Sequence, residues 1–111
     1  MSCRIFTFPS FDRELKHLAK RYKSIKEDLR SLANELKENP RMGSDLGNGL
    51  RKVRLSIKSK GTGKRGGARV ITVVVSDLDD NLGLLYIYDK SDRETIKGKE
   101  LEDLLKKNGL I

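Results

Sequence analysis

The stretch RKVRLSIKSKGTGKRGGARVITVVV, residues 51–75, decides the fold. In its first part, apolar residues at positions 53, 55 and 57 alternate with polar residues at positions 52, 54, 56 and 58. A period of two is typical of a strand with one buried face. Residues 68–75 form a nearly continuous β-branched run, which predicts a central strand covered on both faces. We therefore predict two strands joined by the glycine-rich loop 59–67.

Two amphipathic helical segments precede these strands. Apolar residues follow the i, i+4, i+7, i+8, i+11 spacing of one helical face over residues 11–22, and the spacing repeats over residues 25–36. One long helix or coiled coil would carry the same register through both segments. Residues 24–27, however, read S-I-K-E, the form of a capping box at a new helix start. We prefer two helices with a break near Lys23, the second ending at Asn39-Pro40.

The remaining segments complete an α+β domain. Residues 4–8 predict a short strand that stops at Pro9, and residues 41–49 are rich in turn formers and predict a loop. A strand over residues 82–88 follows a polar turn at residues 77–81, and a short leucine-striped helix should end before Gly109. The order β-α-α-β-β-β-α predicts one small domain over the whole chain, a curved antiparallel sheet with the helical hairpin on one face.

The positive charge of the chain is concentrated in one segment. The net charge is +8, and residues 51–69 alone hold eight basic residues and no acidic residue. Cations gathered in one place are typical of a polyanion site, because they release phosphate counterions together. A solvated basic strand pair that only keeps the protein soluble gives the same pattern and stays open. The eight residues are Arg51, Lys52, Arg54, Lys58, Lys60, Lys64, Arg65 and Arg69.

Two cations from different strands are expected to meet at one end of the sheet. Arg69 lies one residue into an otherwise apolar strand, where a charge is costly unless it is paired or used. If the turn at residues 77–81 pairs the last two strands, Lys90 comes close to residues 68–69. The alternative is an ion pair of either cation with Asp89 that only stabilises the strand ends.

Other chemistries have little support in the sequence. The single histidine, His17, has no partner at metal-ligand spacing, and the single cysteine, Cys3, permits no internal disulfide. The acidic turn at residues 77–80 is a weak candidate for a cation site. No run of about 18 apolar residues is present. We therefore expect no metal, no cofactor and no membrane partner, and a cytoplasmic location.

Several segments together resemble the RelE/HigB/ParE superfamily of type II toxins. They are FDRELKHL at residues 11–18, LGNGLRKVR at 46–54, KGTGKRGGARVI at 60–71 and LLYIYDK at 84–90. The third is the most specific, because it is similar to a glycine- and lysine-rich segment common in HigB-like members. The resemblance covers nearly the whole chain and agrees in order with the strands and helices inferred above.

The resemblance implies a small toxin, neutralised by a cognate antitoxin, that cuts mRNA in the ribosomal A site without a metal. It implies catalytic roles for Arg69, as the contact of the scissile phosphate, and for Lys90, as the late basic residue. Lys52 and Arg54 match the paired basic residues on the earlier strand. RNA-binding residues are then expected in the adjoining basic loop: Lys58, Lys60, Lys64 and Arg65.

One departure from the pattern keeps other functions open. RelE carries a tyrosine in its C-terminal segment, where this chain has Thr95-Ile96, and Tyr86 and Tyr88 lie earlier, on the predicted strand. These tyrosines fit the core or sheet surface, or a role in stacking on bases. ParE-type relatives share the fold and poison DNA gyrase, and a non-catalytic nucleic-acid-binding module is a third possibility.

Overall fold

The computed structural model describes residues 4–76 and 81–111, and it describes Lys64 and Ser76 by their backbone alone. Cys3 and the acidic turn at residues 77–80 lie outside the described residues. The described part forms five strands, four helices and one 3-10 turn at Lys58–Lys60. In chain order the elements are β1 (Ile5–Thr7), α1 (Pro9–Arg21), α2 (Ile25–Glu38), β2 (Ser44–Gly47), β3 (Leu50–Leu55), α3 (Gly63–Gly66), β4 (Ala68–Ser76), β5 (Asn81–Asp89) and α4 (Gly98–Lys107).

The predicted break between the first two helices is confirmed, but its predicted capping chemistry is wrong. The first helix ends at Arg21 and the second begins at Ile25; α2 ends at Glu38, and Asn39 is its C-cap, as the Asn39-Pro40 prediction requires. Ser24 adopts helical backbone angles, so its side chain does not cap the first turn. Its hydroxyl donates instead to Asp28 Oδ2 at 2.7 Å. The Ser24 hydroxyl therefore binds a side chain one turn further along α2 rather than the N–H groups of the first turn.

The sheet confirms the α+β class and corrects two details. The strand order is β1-β5-β4-β3-β2. β1 pairs parallel with β5, so the sheet is mixed, whereas the other pairs are antiparallel as predicted. Residues 44–47, predicted as loop, form the edge strand β2. This strand is short and irregular between Asp45 and Gly47, so it leaves no alternating pattern in the sequence.

Helices cover both faces of the sheet and enclose two apolar cores. The first core lies between the sheet and the α1–α2 pair, and includes Phe11, Leu36, Val53 and Val70. The second lies under α4 and includes Ile71, Tyr88, Leu101 and Leu105. The face opposite the first core is therefore only partly open, because α4 occupies one part of it. Across residues 4–76 and 81–111, no helix is both long enough and apolar enough to cross a membrane.

Candidate active site

The strand register places basic residues of neighbouring strands side by side. Arg54 of β3 is the partner of Arg69 of β4, which is in turn the partner of Tyr88 of β5. Directly paired residues project from the same face of a sheet. Lys52, two residues before Arg54, projects from that face as well. Lys52 and Arg54 therefore share a face as predicted, beside the part of the sheet that α4 covers. Lys58, expected to continue this face, lies instead in the 3-10 turn beyond the end of β3.

A cleft of about 340 Å³ opens on this face. It collects side chains from β2, β3, β4 and the segment that follows β5. All four residues predicted as catalytic line it, together with three that the sequence analysis missed. The lining residues are Ser44, Lys52, Arg54, Arg69, Lys90, Glu94 and Thr95.

Of these three residues, Glu94 and Thr95 could have been predicted from the sequence to lie at the cleft, whereas Ser44 could not. Ser44 is the register partner of Lys52, which is visible only once β2 is recognised as a strand. Glu94 and Thr95 follow Lys90 closely in the chain. A turn after the last strand brings such residues back to the same strand end, so this proximity was a usable signal.

Arg69 is held in a fixed position at the bottom of the cleft. It is only 4% exposed. Its guanidinium donates hydrogen bonds to the backbone carbonyls of Ala68, at 3.1 Å, and Arg65, at 3.0 Å. Burial lowers the pKa of Arg69, and the neighbouring Arg54 lowers it further. An arginine nevertheless stays protonated in proteins, so the cleft carries a buried, oriented cation.

Lys90 lies one position further along than predicted. Its backbone N–H donates to the carbonyl of Gly67 at 3.1 Å, so it faces Gly67 rather than residues 68–69. The difference arises at the turn, because Asn81, predicted as its last residue, already pairs with Ser76. The side chain of Lys90 still reaches the cleft. The alternative partner, Asp89, projects from the opposite face, where Lys60 and Arg21 bind it.

The basic loop residues occupy different environments. The Lys60 ammonium lies 2.6 Å from Asp89 Oδ1, away from the cleft. The side chain of Lys58 is exposed, and its backbone N–H donates to Asp28. Arg65 is exposed on α3. The Lys64 side chain lies outside the described residues, and RNA binding by all four stays a prediction.

Comparison with known proteins shows which family the chain belongs to. The family model for the RelE toxin of the RelE / RelB toxin-antitoxin system matches residues 3–109. The chain belongs to the RelE toxin family. It is accordingly the toxin of a toxin–antitoxin system. A structure of the E. coli toxin RelE, an arginine-to-alanine double mutant in the free state, is similar with a TM-score of 0.60 and 16% identity. The match covers 96% of this chain and 98% of that one, and shows a shared fold.

The tyrosines of this RelE-family toxin belong to the sheet. The rings of Tyr86 and Tyr88 lie 6.3 Å apart, and Tyr88 is 5% exposed within the second core. The Arg93 guanidinium lies 5.7 Å from the centre of the Tyr88 ring. Burial raises the pKa of both tyrosines. Both hydroxyls therefore stay protonated at neutral pH.

Metal ligands do not cluster in the described part of this RelE-family chain. Over residues 4–76 and 81–111, no group of three or more His, Cys, Asp or Glu side chains could hold a metal ion. The cleft itself offers one carboxylate, Glu94, among its seven lining residues. The other six lining residues are four cations, Lys52, Arg54, Arg69 and Lys90, and two hydroxyl side chains, Ser44 and Thr95.

Proposed function

We propose that this toxin is a ribosome-dependent endoribonuclease that cuts mRNA in the A site and thereby inhibits translation. The observation that carries the proposal is the convergence of Lys52, Arg54, Arg69 and Lys90 in one cleft. Four cations around a small cavity repel one another, and an anionic ligand relieves that repulsion. A phosphodiester fits such a site, because its charge and the extra charge of its transition state lie within one phosphate group.

The proposed reaction is transfer of the phosphate to the neighbouring 2′-hydroxyl. The 2′-oxygen attacks phosphorus and forms the new P–O bond, and the bond from phosphorus to the 5′-oxygen breaks. Glu94 takes the 2′-hydroxyl proton, because it is the one carboxylate among the lining side chains and the others are cations or hydroxyls. Lys90 donates a proton to the departing 5′-oxygen. The products are a 2′,3′-cyclic phosphate and a 5′-hydroxyl end.

The arginines and Lys52 have electrostatic roles in this proposal. Arg69 presents its guanidinium fork to the non-bridging oxygens, a geometry that suits a planar bidentate donor. Its buried, hydrogen-bonded position means that little reorganisation is needed when charge develops. Lys52 and Arg54 bind the flanking phosphates, and we extend this RNA path to Lys58, Lys64 and Arg65 of the basic loop.

The partners follow from the same surface. We propose that a cognate antitoxin neutralises the toxin and that an acidic segment of it covers the cationic face, because complementary charge steers and stabilises such contacts. The ribosome and its mRNA are the proposed targets. A target of this kind places the toxin in the cytoplasm.

The proposal is tested by the order in which cell processes fail. After induction of the wild-type toxin, pulse labelling should show protein synthesis falling before DNA synthesis. Purified toxin added to ribosomes programmed with mRNA should yield fragments with cyclic-phosphate or 3′-phosphate ends. If DNA synthesis fails first, with cleaved DNA only when gyrase is present, the gyrase alternative replaces this proposal. If neither cleavage occurs, the toxin acts by binding alone.

A further inference from the structure

A second charged cluster lies on the opposite side of the sheet, beneath the end of β5. Its centre is Asp89, whose side chain is fully buried. Asp89 Oδ1 accepts hydrogen bonds from Lys60 Nζ at 2.6 Å and from the Ser91 N–H at 2.9 Å. Asp89 Oδ2 accepts one from Tyr22 Oη at 2.5 Å and lies 3.1 Å from an Arg21 nitrogen. We call these five residues the Asp89 cluster.

The Asp89 cluster joins three segments that are distant in sequence. Arg21 and Tyr22 end the first helix, and Lys60 lies in the 3-10 turn after β3. The backbone carbonyl of Asp89 also accepts hydrogen bonds from the N–H groups of residues 92 and 93, at 3.0 and 3.3 Å. Asp89 therefore closes the turn that leads from β5 to the cleft residues Glu94 and Thr95. Its neighbour Lys90 lines the cleft directly.

The charge of Asp89 is maintained by its donors. Burial alone would raise its pKa, but the hydrogen bonds from Lys60 and Tyr22 outweigh burial and lower the pKa to about 2. The carboxylate is therefore ionised at neutral pH. The Lys60 side chain is also held within the cluster, because its ammonium contacts Ser91 Oγ at 2.5 Å as well and the side chain is only 14% exposed.

We propose that Asp89 is a positioning residue, which holds Lys90, Glu94 and Thr95 at the cleft, and that Lys60 is its counterion rather than an RNA ligand. The inference rests on the proposed function, because it concerns the geometry of that site. Stability alone does not require such a cluster, since buried ion pairs are often replaced by apolar residues at no cost. A positioned catalytic group does require a fixed support, since a displacement of about 1 Å can lower a rate about 100-fold.

The test separates binding from the chemical step. Asp89→Asn removes the charge and puts an amide N–H₂ where a donor already points, and Lys60→Met removes the counterion. Each variant should lower the single-turnover cleavage rate on programmed ribosomes by about 10-fold to about 100-fold. Affinity for ribosomes carrying a 2′-O-methylated, uncleavable A-site codon should stay within twofold of the wild-type value.

Salt dependence of that affinity tests the role of Lys60 directly. Affinity falls as salt rises, so the slope of log affinity against log salt concentration is negative. Lys52→Met removes a proposed phosphate contact and should make this slope less negative by about 0.7 to 0.9. Lys60→Met should leave the slope unchanged. A slope changed as much as in Lys52→Met would make Lys60 an RNA ligand and overturn the proposal.

A loss of folding is distinguished by two further measurements. In Asp89→Asn plus Lys60→Met, the unpaired cation is gone, so melting temperature should partly recover while cleavage stays slow. Tyr22→Phe removes one hydroxyl and keeps the ring, so the variant should still fold. It should cleave mRNA more slowly than the wild type, and the NMR chemical shifts of the amides at residues 90–95 should change. Folded Tyr22→Phe and Lys60→Met proteins that cleave at the wild-type rate would overturn the positioning role. Absence of cleavage by the wild-type toxin would instead sink the proposed function itself.

Discussion

Replacement of Arg69 by methionine is the sharpest test of the cleft. Methionine keeps an unbranched apolar stem beside Tyr88, the register partner, and removes only the guanidinium. Loss of one preorganised transition-state donor typically costs a factor of about 100 to about 1000 in rate, or about 3 to 4 kcal/mol. We expect Arg69→Met to lower single-turnover mRNA cleavage by that factor, because the guanidinium is fixed before RNA binds.

The expected effect on stability is small, because opposing contributions are of similar size. The variant loses the hydrogen bonds to the carbonyls of Ala68 and Arg65, each worth about 1.5 to 3 kcal/mol for a charged donor. It also removes the cost of burying a charge, which is several kcal/mol. Relief of repulsion with the exposed Arg54 adds about 1 kcal/mol. The free energy of unfolding should therefore stay within about 1 kcal/mol of the wild-type value.

The cleavage rate is measured by quench-flow on programmed ribosomes, and the free energy of unfolding is measured by urea titration of the same protein preparations. Arg30→Met, at an exposed position of α2, is the matched control and should change neither. Cleavage by Arg69→Met at the wild-type rate would refute the catalytic assignment. A loss of more than about 3 kcal/mol of stability would show that Arg69 is mainly structural.

Three further predictions concern other parts of the molecule. Because the folded-state pKa of Asp89 is about 2, below the value of about 3.9 in an unfolded chain, its stabilisation is present above pH 4. About 2 kcal/mol should be lost as pH falls from 4 to 2, and urea unfolding of Asp89→Asn should lack that loss. Gly67→Ala should cost about 2 kcal/mol or more, since its Cβ would lie 1.9 Å from the Leu55 carbonyl oxygen. Gly98→Ala, where nothing lies within 4 Å, is the control, and equal melting temperatures would contradict the steric argument. Glu94→Gln should lower cleavage by about 100-fold or more while RNA affinity holds or rises, because an anion leaves a cationic cleft; a wild-type rate would exclude Glu94 as the base.

The strands and helices were predictable where burial imposes a period. The alternation around Val53 gives the face of β3, and the β-branched run from residue 68 gives a central strand. The charge at Arg69 stood out because it interrupts that run. These signals are local, so they survive without knowledge of the tertiary structure. They put Lys52 and Arg54 on one face of β3 and Arg69 near Lys90 at one end of the sheet, whereas only the family resemblance joined all four in one site.

The remaining features depend on contacts between distant segments. The parallel pairing of β1 with β5 and the strand at residues 44–47 leave no periodic pattern, because both strands are very short. Lys60 looks like any loop lysine until Asp89, 29 residues later, is seen to bind it. The position of Lys90 differs by one residue because Asn81 is polar, and so reads as part of the turn, although it pairs with Ser76 as the first residue of β5.

The order of the strands also bears on how the protein avoids self-association. β4 and β5, each nine residues long and strongly apolar, would be templates for edge-to-edge pairing if they were exposed. The order β1-β5-β4-β3-β2 places both inside the sheet. The edges are instead a three-residue strand that runs into Pro9 and a four-residue strand with an irregular register. Short, interrupted edges of this kind are poor templates for another strand, so among the described residues the topology disfavours edge-to-edge pairing.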